Sequence, residues 1–363
     1  MGRSRRSRPW GLRMARQPHL RCHWFHVPAT VAFIGAIALL AQLTGVAYVL
    51  FPELGALSHD IFKRPRGEWA RAPIHLILTP ALTALLGTLL TRHLAYGPLP
   101  VVLSVGSSVL VIRLLRSPIA PASWAGLLPL ALGIRTWLYA PAILIGTVAL
   151  ALLSVPWRRL IPPSRPTVRD LADDITERVP VRYGWLVFFF GFVAIGAVLA
   201  LLSGQRLLLY PPLVVMGFEM YAHPNVCPWA LRPLVLPVVC TLTATGGVVL
   251  VTVFGAGAPA AVGSMLIGIV LLGAVDLHAP PALAVGLLPF VIPQPGATFP
   301  LAVATGTLLL AASFLLWRRV SSWSLSGLAF RAARHTRDPQ AVPLPAANRR
   351  DQVRSHTPPP DGS

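Results

Sequence analysis

Charge is what this sequence has least of. Charged residues make up 12% of its 363 positions, where a soluble domain carries roughly a quarter. Acidic residues are scarcer still, 12 Asp and Glu against 31 Lys and Arg, for a formal net charge of +19. There are three cysteines, Cys22, Cys227 and Cys240. Their spacing suits no metal, and no redox role follows from them. No nucleophile elbow, phosphate-binding loop or metal-ligand set occurs, so neither an enzyme nor a cofactor is expected. His59 and Asp60 begin a pattern that a membrane hydrolase would use, but no partner carboxylate follows in sequence.

What the chain does have is apolar length. It is 55% hydrophobic with a mean hydropathy of +0.66. Runs of about 20 apolar residues, enough to cross a bilayer, recur along it. The clearest lie at residues 27–51, 72–91, 98–115, 137–155, 184–203, 234–254, 259–275 and 298–317. Two weaker stretches, 207–221 and 280–292, are short and interrupted by proline. Such segments suit re-entrant or interfacial positions better than full spans.

The positive charge gathers at the ends of these runs. Arg3, Arg5, Arg6, Arg8, Arg13, Arg16 and Arg21 precede the first. Arg158, Arg159, Arg165 and Arg169 follow the fourth, and Arg318, Arg319, Arg331, Arg334 and Arg337 follow the last. Clusters so placed read as positive-inside signals. They predict a cytoplasmic N-terminus, central linker and C-terminus in a bacterial plasma membrane. The loop with Lys63, Arg64, Arg66 and Arg71 then falls outside, against the rule. Nucleic acid is not expected as a partner, because no aromatic interleaving accompanies the charge. The opening SRRSRPW resembles a twin-arginine signal, but the apolar run after it is too long and has no A-x-A site nearby. Membrane anchoring is the better reading.

A shift of 160 residues aligns the two halves. Trp69-Ala70 falls on Trp229-Ala230, Leu82-Thr83-Ala84 on Leu242-Thr243-Ala244, and Gly87 on Gly247. Gly126-Leu127-Leu128-Pro129 falls on Gly286-Leu287-Leu288-Pro289, and Trp157-Arg158-Arg159 on Trp317-Arg318-Arg319. Before Pro52 the register slips by one: Ile34-Gly35-Ala36 meets Ile195-Gly196-Ala197. The expected fold is therefore an all-α polytopic membrane protein. It is built as two parallel tandem repeats of about four transmembrane helices each, plus short proline-broken re-entrant or interfacial segments. A basic N-terminal segment (residues 1–26) leads into the first repeat (27–160). A polar linker (161–183), expected to hold a short amphipathic helix, joins it to the second (184–320). Residues 321–363 are expected to be disordered.

HAPPALAVGLLP at residues 278–289 matches SPIAPASWAGLLP at 117–129. Each is a proline-broken segment between the third and fourth main spans of its half. Proline removes a backbone donor and frees a carbonyl. Matched breaks in two repeats point to a transport site; a plain surface loop needs no function and is the bland alternative. Several ionisable residues cluster near these segments. Arg113 and Arg116 are three apart near the end of the third run and would share a helical face. His75 and Arg232 sit early in the two second runs. Asp276 and His278 are two apart, a spacing open to a proton relay, and Glu219 and His223 are four apart.

Pro280-Pro281-Ala282 followed by Leu287-Leu288-Pro289 resembles the signature of the HPP integral membrane family. The stretches Cys227-Pro228-Trp229-Ala230-Leu231-Arg232-Pro233 and Pro211-Pro212-Leu213-Val214-Val215-Met216-Gly217-Phe218 are similar to two further family stretches. The resemblance covers each repeat nearly end to end. It departs at Ala279, which separates His278 from the proline pair, and at Leu283-Ala284-Val285, where the family has Gly-Ala-Thr. What it implies is transport of a small monovalent anion such as nitrite. The substrate-binding candidates are Arg113, Arg116, Arg232, Asp276, His278, Pro280 and Pro281. Expected partners are the lipid bilayer and the small anion, with a homo-oligomer left open. A non-transporting membrane scaffold or assembly protein is the alternative.

Overall fold

The computed structural model describes residues 25–162, 167–178 and 183–335, with side chains up to position 321. The basic segment before Phe25 and the tail after His335 lie outside the described residues. Every regular element among the described residues is helical. Six helices are long and apolar enough to cross a membrane: α1 (His26–Thr44), α4 (Pro73–His93), α7 (Tyr139–Leu160), α9 (Trp185–Leu202), α11 (Val235–Phe254) and α14 (Thr298–His335). Two further apolar helices of 17 residues, α5 (Pro98–Leu114) and α12 (Ala258–Ala274), stand beside them. From Arg318 the chain forms a separate unit. Its helical backbone continues to His335, into the segment expected to be disordered.

Four short helices complete the bundle: α2 (Glu53–Lys63), α6 (Ala122–Leu132), α10 (Pro211–Ala222) and α13 (Pro281–Leu287). The long helices bury one side and leave apolar side chains such as Leu85, Leu152 and Leu202 exposed, as a lipid-facing surface requires. The short ones are buried on every face, from Glu53 to Phe62, Ala122 to Ala131, Pro211 to Tyr221 and Pro281 to Leu287. At about 1.5 Å per residue α2, α6 and α10 reach roughly half the bilayer thickness and α13 about a third of it. The residues immediately before each one, Leu50 to Pro52, Ile119 to Pro121, Leu208 to Tyr210 and Ala279 to Pro280, are buried with it. α1 ends sooner than its apolar run, because Gly45 turns left-handed at φ 68° and the chain reverses towards α2.

Several local features recur at matched positions. Arg116 and Asp276, 160 residues apart, both take left-handed backbone (φ 50° and 48°). The next amide in each case reaches five residues back, Ser117 N to Ile112 O at 2.9 Å and Leu277 N to Leu272 O at 3.1 Å. This is the helix-ending Schellman geometry, tolerated here without glycine. Ser104 Oγ donates to Gly126 O (2.9 Å) and Ser264 Oγ to Gly286 O (2.7 Å). A Cβ on Gly87 would collide with the Gly126 carbonyl, and one on Gly247 with the Gly286 carbonyl. Glycine is thus required where α4 meets α6 and where α11 meets α13, a close approach of the small-residue kind. The packing crosses between halves in pairs: α1 lies on α12 and α9 on α5, while α2 lies on α13 and α10 on α6.

The linker forms α8 (Val168–Glu177), which starts at a capping box between Thr167 and Asp170. It sits at one end of the bundle, called the linker end below. The loop containing Lys63, Arg64, Arg66 and Arg71 is also there, since Arg64 reaches Asp174 and Glu177 of α8. The expectation that this loop lies on the opposite side is corrected. α2 brings the chain back beside the start of α1, shown by the contacts of His26 with His59 and Phe33 with Phe62. Arg92, Arg135 and Arg206 mark the other end, where Arg92 and Arg206 lie over the rings of Trp137 and Tyr96.

Candidate functional site

The short helices carry polar groups that their burial makes expensive. Glu53, Asp60 and Glu219 are at most 2% exposed. An enclosed carboxylate persists either paired or protonated. Asp60 is paired. Arg64, which caps α2 one turn later, grips it with two bonds of 2.8 Å, from Nε and from Nη2. This is the bidentate fork that makes a guanidinium a strong partner for a planar two-oxygen anion. Glu53 is different. Neither of its oxygens, nor Oε2 of Glu219, has a hydrogen-bond partner among the described residues.

The rest of the guanidinium is taken by the linker. Arg64 Nη1 donates to Asp174 at 2.9 Å and Nη2 to Glu177. The Arg64 side chain is left only 5% exposed. Two peripheral ion pairs hold α8 down, Arg169 with Asp276 (2.8 Å) and Arg178 with Glu68 (2.7 Å). Both are exposed on at least one partner and contribute little. Burial under α8 raises the proton affinity of Asp173, Asp174 and Glu177, while Arg64 pulls each in the opposite direction.

His278 enters from the stretch just before α13. Lys63 Nζ lies 3.0 Å from His278 Nδ1, and His278 Nε2 lies 3.2 Å from Asp60 Oδ1 and 3.4 Å from Asp173 Oδ2. Lys63 is the chain's one lysine. A charged lysine has only donors, so Nδ1 must accept and Nε2 must carry the proton facing Asp60. Lys63, His278, Asp60 and Arg64 thus form a continuous hydrogen-bonded row from one half of the chain to the other. A small cleft opens beside it, lined by Trp69, Asp173, Thr176, Glu177, Glu219, Trp229, His278, Pro280 and Pro281.

Of the residues singled out from sequence, His278, Pro280 and Pro281 come together at this cleft. Four others lie elsewhere, at the surface of the linker end. Arg113 stacks 3.9 Å over the Tyr183 ring and donates to its hydroxyl at 2.6 Å. Arg116 is exposed beyond the end of α5, and its left-handed backbone takes it off the helical face it would share with Arg113. Arg232 donates to Val275 O at 3.0 Å. Asp276 turns out to Arg169, so it does not pair with His278. His75 lies 3.1 Å from Leu115 O through Nε2, and His223 Nε2 meets Arg178 O at 3.1 Å, away from the Glu219 carboxylate.

Sequence reading assigned no site role to Lys63, Arg64, Asp173, Asp174 or Glu177, and took Asp60 only as the start of an unfinished hydrolase pattern. The signal was present in the scarcity of acids. Asp60 stands four residues before Arg64, which is the spacing of a helical ion pair. The carboxylates that His59-Asp60 lack nearby in sequence arrive from residues 173–177, about 110 positions on. Among the described residues no group of three or more His, Cys, Asp or Glu is arranged to hold a metal ion. No family model, no curated protein and no solved structure matches the chain.

Proposed function

We propose that this protein is a membrane transporter or channel for a small anion, working where the short helices of its two halves meet. The observation that carries the reading is the enclosure of α2, α6, α10 and α13 on every face. Enclosed ionisable groups such as Glu53, Asp60 and Glu219 are expensive, and within a membrane protein such groups mark ion pathways and proton relays. Half-length helices at matched positions are the architecture in which transporters keep their sites. The reading treats the halves as parallel repeats of an HPP-like unit, with short helices that enter the membrane without crossing it. The paired Schellman turns, serine–carbonyl bonds and crossed packing support it.

The linker end then faces the cytoplasm of a bacterial plasma membrane. Support comes from the charge asymmetry, with Lys63, Arg64, Arg71, Arg113, Arg169, Arg178 and Arg232 at that end and Arg92, Arg135 and Arg206 at the other. Glu53, with neither carboxyl oxygen partnered, and Glu219, with Oε2 unpartnered, are both enclosed, the setting that favours a neutral carboxyl group. A proton accompanying the anion would travel through them and the Asp60–His278–Lys63 row. Purified protein in sealed vesicles tests the reading. Nitrite, nitrate, chloride or formate should cross faster than in protein-free vesicles, and folded protein that moves none of them sinks the proposal. The second reading, a non-transporting scaffold, is favoured by the closure of α8 over the cleft. It expects cross-linking from α8 to capture a defined partner, with no flux.

A further inference from the structure

The linker helix sits in the bundle the way a ligand would. α8 belongs to neither membrane half, yet it supplies Asp174 and Glu177 to Arg64 and Asp173 to His278. Asp60, from α2 itself, holds Nε and one side of Nη2. This fixes the guanidinium plane and leaves its remaining donors aimed at whatever covers it. We propose that Arg64, with Lys63 and His278, is an anion-binding site for a small planar monovalent oxyanion of the carboxylate type. The α8 carboxylates occupy it here as built-in substitutes for that ligand.

Three observations lead to this assignment. The first is shape. A carboxylate presents two oxygens on one atom in a plane, and the planar fork of arginine matches that pattern where a lysine would not. The second is charge. Without α8 the fixed charges are Lys63 and Arg64 against Asp60, a surplus of one positive charge that a single monovalent anion neutralises. With α8 docked, three carboxylates face that one surplus charge, and burial raises their proton affinity accordingly. The third is position. The cleft beside the site is walled by Trp69, Trp229, Pro280 and Pro281 on one side and by Asp173 and Glu177 of α8 on the other, so withdrawing α8 enlarges it next to Arg64. His278 contributes the Nε2 proton, which Asp60 and Asp173 share in this state.

The inference rests on the transport reading for what the anion is doing there, but its test does not. Because Lys63 is the one lysine, reaction with an amine reagent, mapped by mass spectrometry, reports on this site. Full-length protein in detergent is compared with the Asp174→Ala/Glu177→Ala variant, which removes the α8 oxygens that reach Arg64, with and without sodium formate, against sodium chloride at equal ionic strength. In the native chain Lys63 should react slowly and ignore formate. In the double variant it should react faster, and formate at about ten times its dissociation constant should slow it about tenfold. Adding Arg64→Gln should abolish that protection. If the double variant fails to fold, Glu177→Ala alone is read the same way. Unchanged Lys63 reactivity overturns the proposal, as does acceleration without formate protection or protection that survives Arg64→Gln. Formate protection in protein that moves no anion across vesicles would leave this site standing and remove the transport reading. Flux without Arg64-dependent protection would do the reverse.

Discussion

Replacing Arg64 with methionine keeps an unbranched stem of similar length and removes the charge. Three carboxylates lose a partner, and their fates differ. Asp60 is 1% exposed and anchored in α2, so it cannot follow water. Asp174 and Glu177 ride on a surface helix that can. Leaving one buried carboxylate without its charge partner costs about 3–5 kcal/mol, and keeping all three in place around an uncharged side chain would cost more than that. Lifting α8 rehydrates Asp174 and Glu177, so Asp60 alone bears the penalty. Asp60 still has His278 Nε2 at 3.2 Å, which holds the loss at the lower end of that range. The cheaper route wins, so Arg64→Met should lose about 3 kcal/mol and free α8 from the bundle. Denaturant titration in mixed micelles measures the first, and hydrogen exchange at residues 168–177 the second. An α8 that stays as protected as in the native chain would refute the reasoning, whatever the stability change.

Other consequences are simpler. Gly87→Ala or Gly247→Ala forces a methyl into a backbone carbonyl across a helix contact. Each should destabilise the protein by about 1–3 kcal/mol in the same micelle titration, and a neutral result would break the account of the α4–α6 and α11–α13 contacts. Arg113→Ala removes a side chain resting on Tyr183 at the surface; vesicle flux should stay within about twofold, a shift of under 0.5 kcal/mol, and a larger loss would return Arg113 to the pathway. Docking of α8 should weaken as pH rises. Asp173 faces Arg64, Lys63, His278 and Asp60, with Glu219 beside it; Asp174 faces Arg64, Glu68 and Arg71; Glu177 faces Asp60 and Arg64. All three acids hold protons more tightly when docked. Docking therefore takes up protons, is complete below the ordinary carboxylate range, and is lost as pH passes through the raised one. Exchange protection of α8, corrected for intrinsic rates, should fall as pH rises above the ordinary carboxylate range; constant protection would contradict the burial argument.

The membrane helices were legible because length and apolarity are local properties. α5 was expected at residues 98–115 and runs Pro98–Leu114, and the matched proline breaks did mark helices at the centre of the bundle. α2 was missed for a physical reason. Glu53, His59, Asp60 and Lys63 dilute its hydropathy, yet Glu53 to Phe62 are buried to a man, because their neutralising partners come from elsewhere in the chain. The candidate site was legible only at His278, Pro280 and Pro281. Its other half depends on Arg64 meeting Asp174 and Glu177, a pairing across 110 residues that no spacing rule encodes. Charge counting misled over the 63–71 loop, because the return of the chain through α2 was not counted.

The crossed packing of the short helices bears on how the protein is made. α2 is covered by α13 and α6 by α10, so each emerges from synthesis long before its partner exists. Until then the first half presents Glu53 and Asp60 to whatever surrounds it, either lipid or the machinery that inserts it. Such a half is an unfinished interior that must be held until the second arrives. The two halves supplied as separate chains should be unstable apart and recover together, and a first half that is monomeric and resistant to protease on its own would show that the wait is unnecessary.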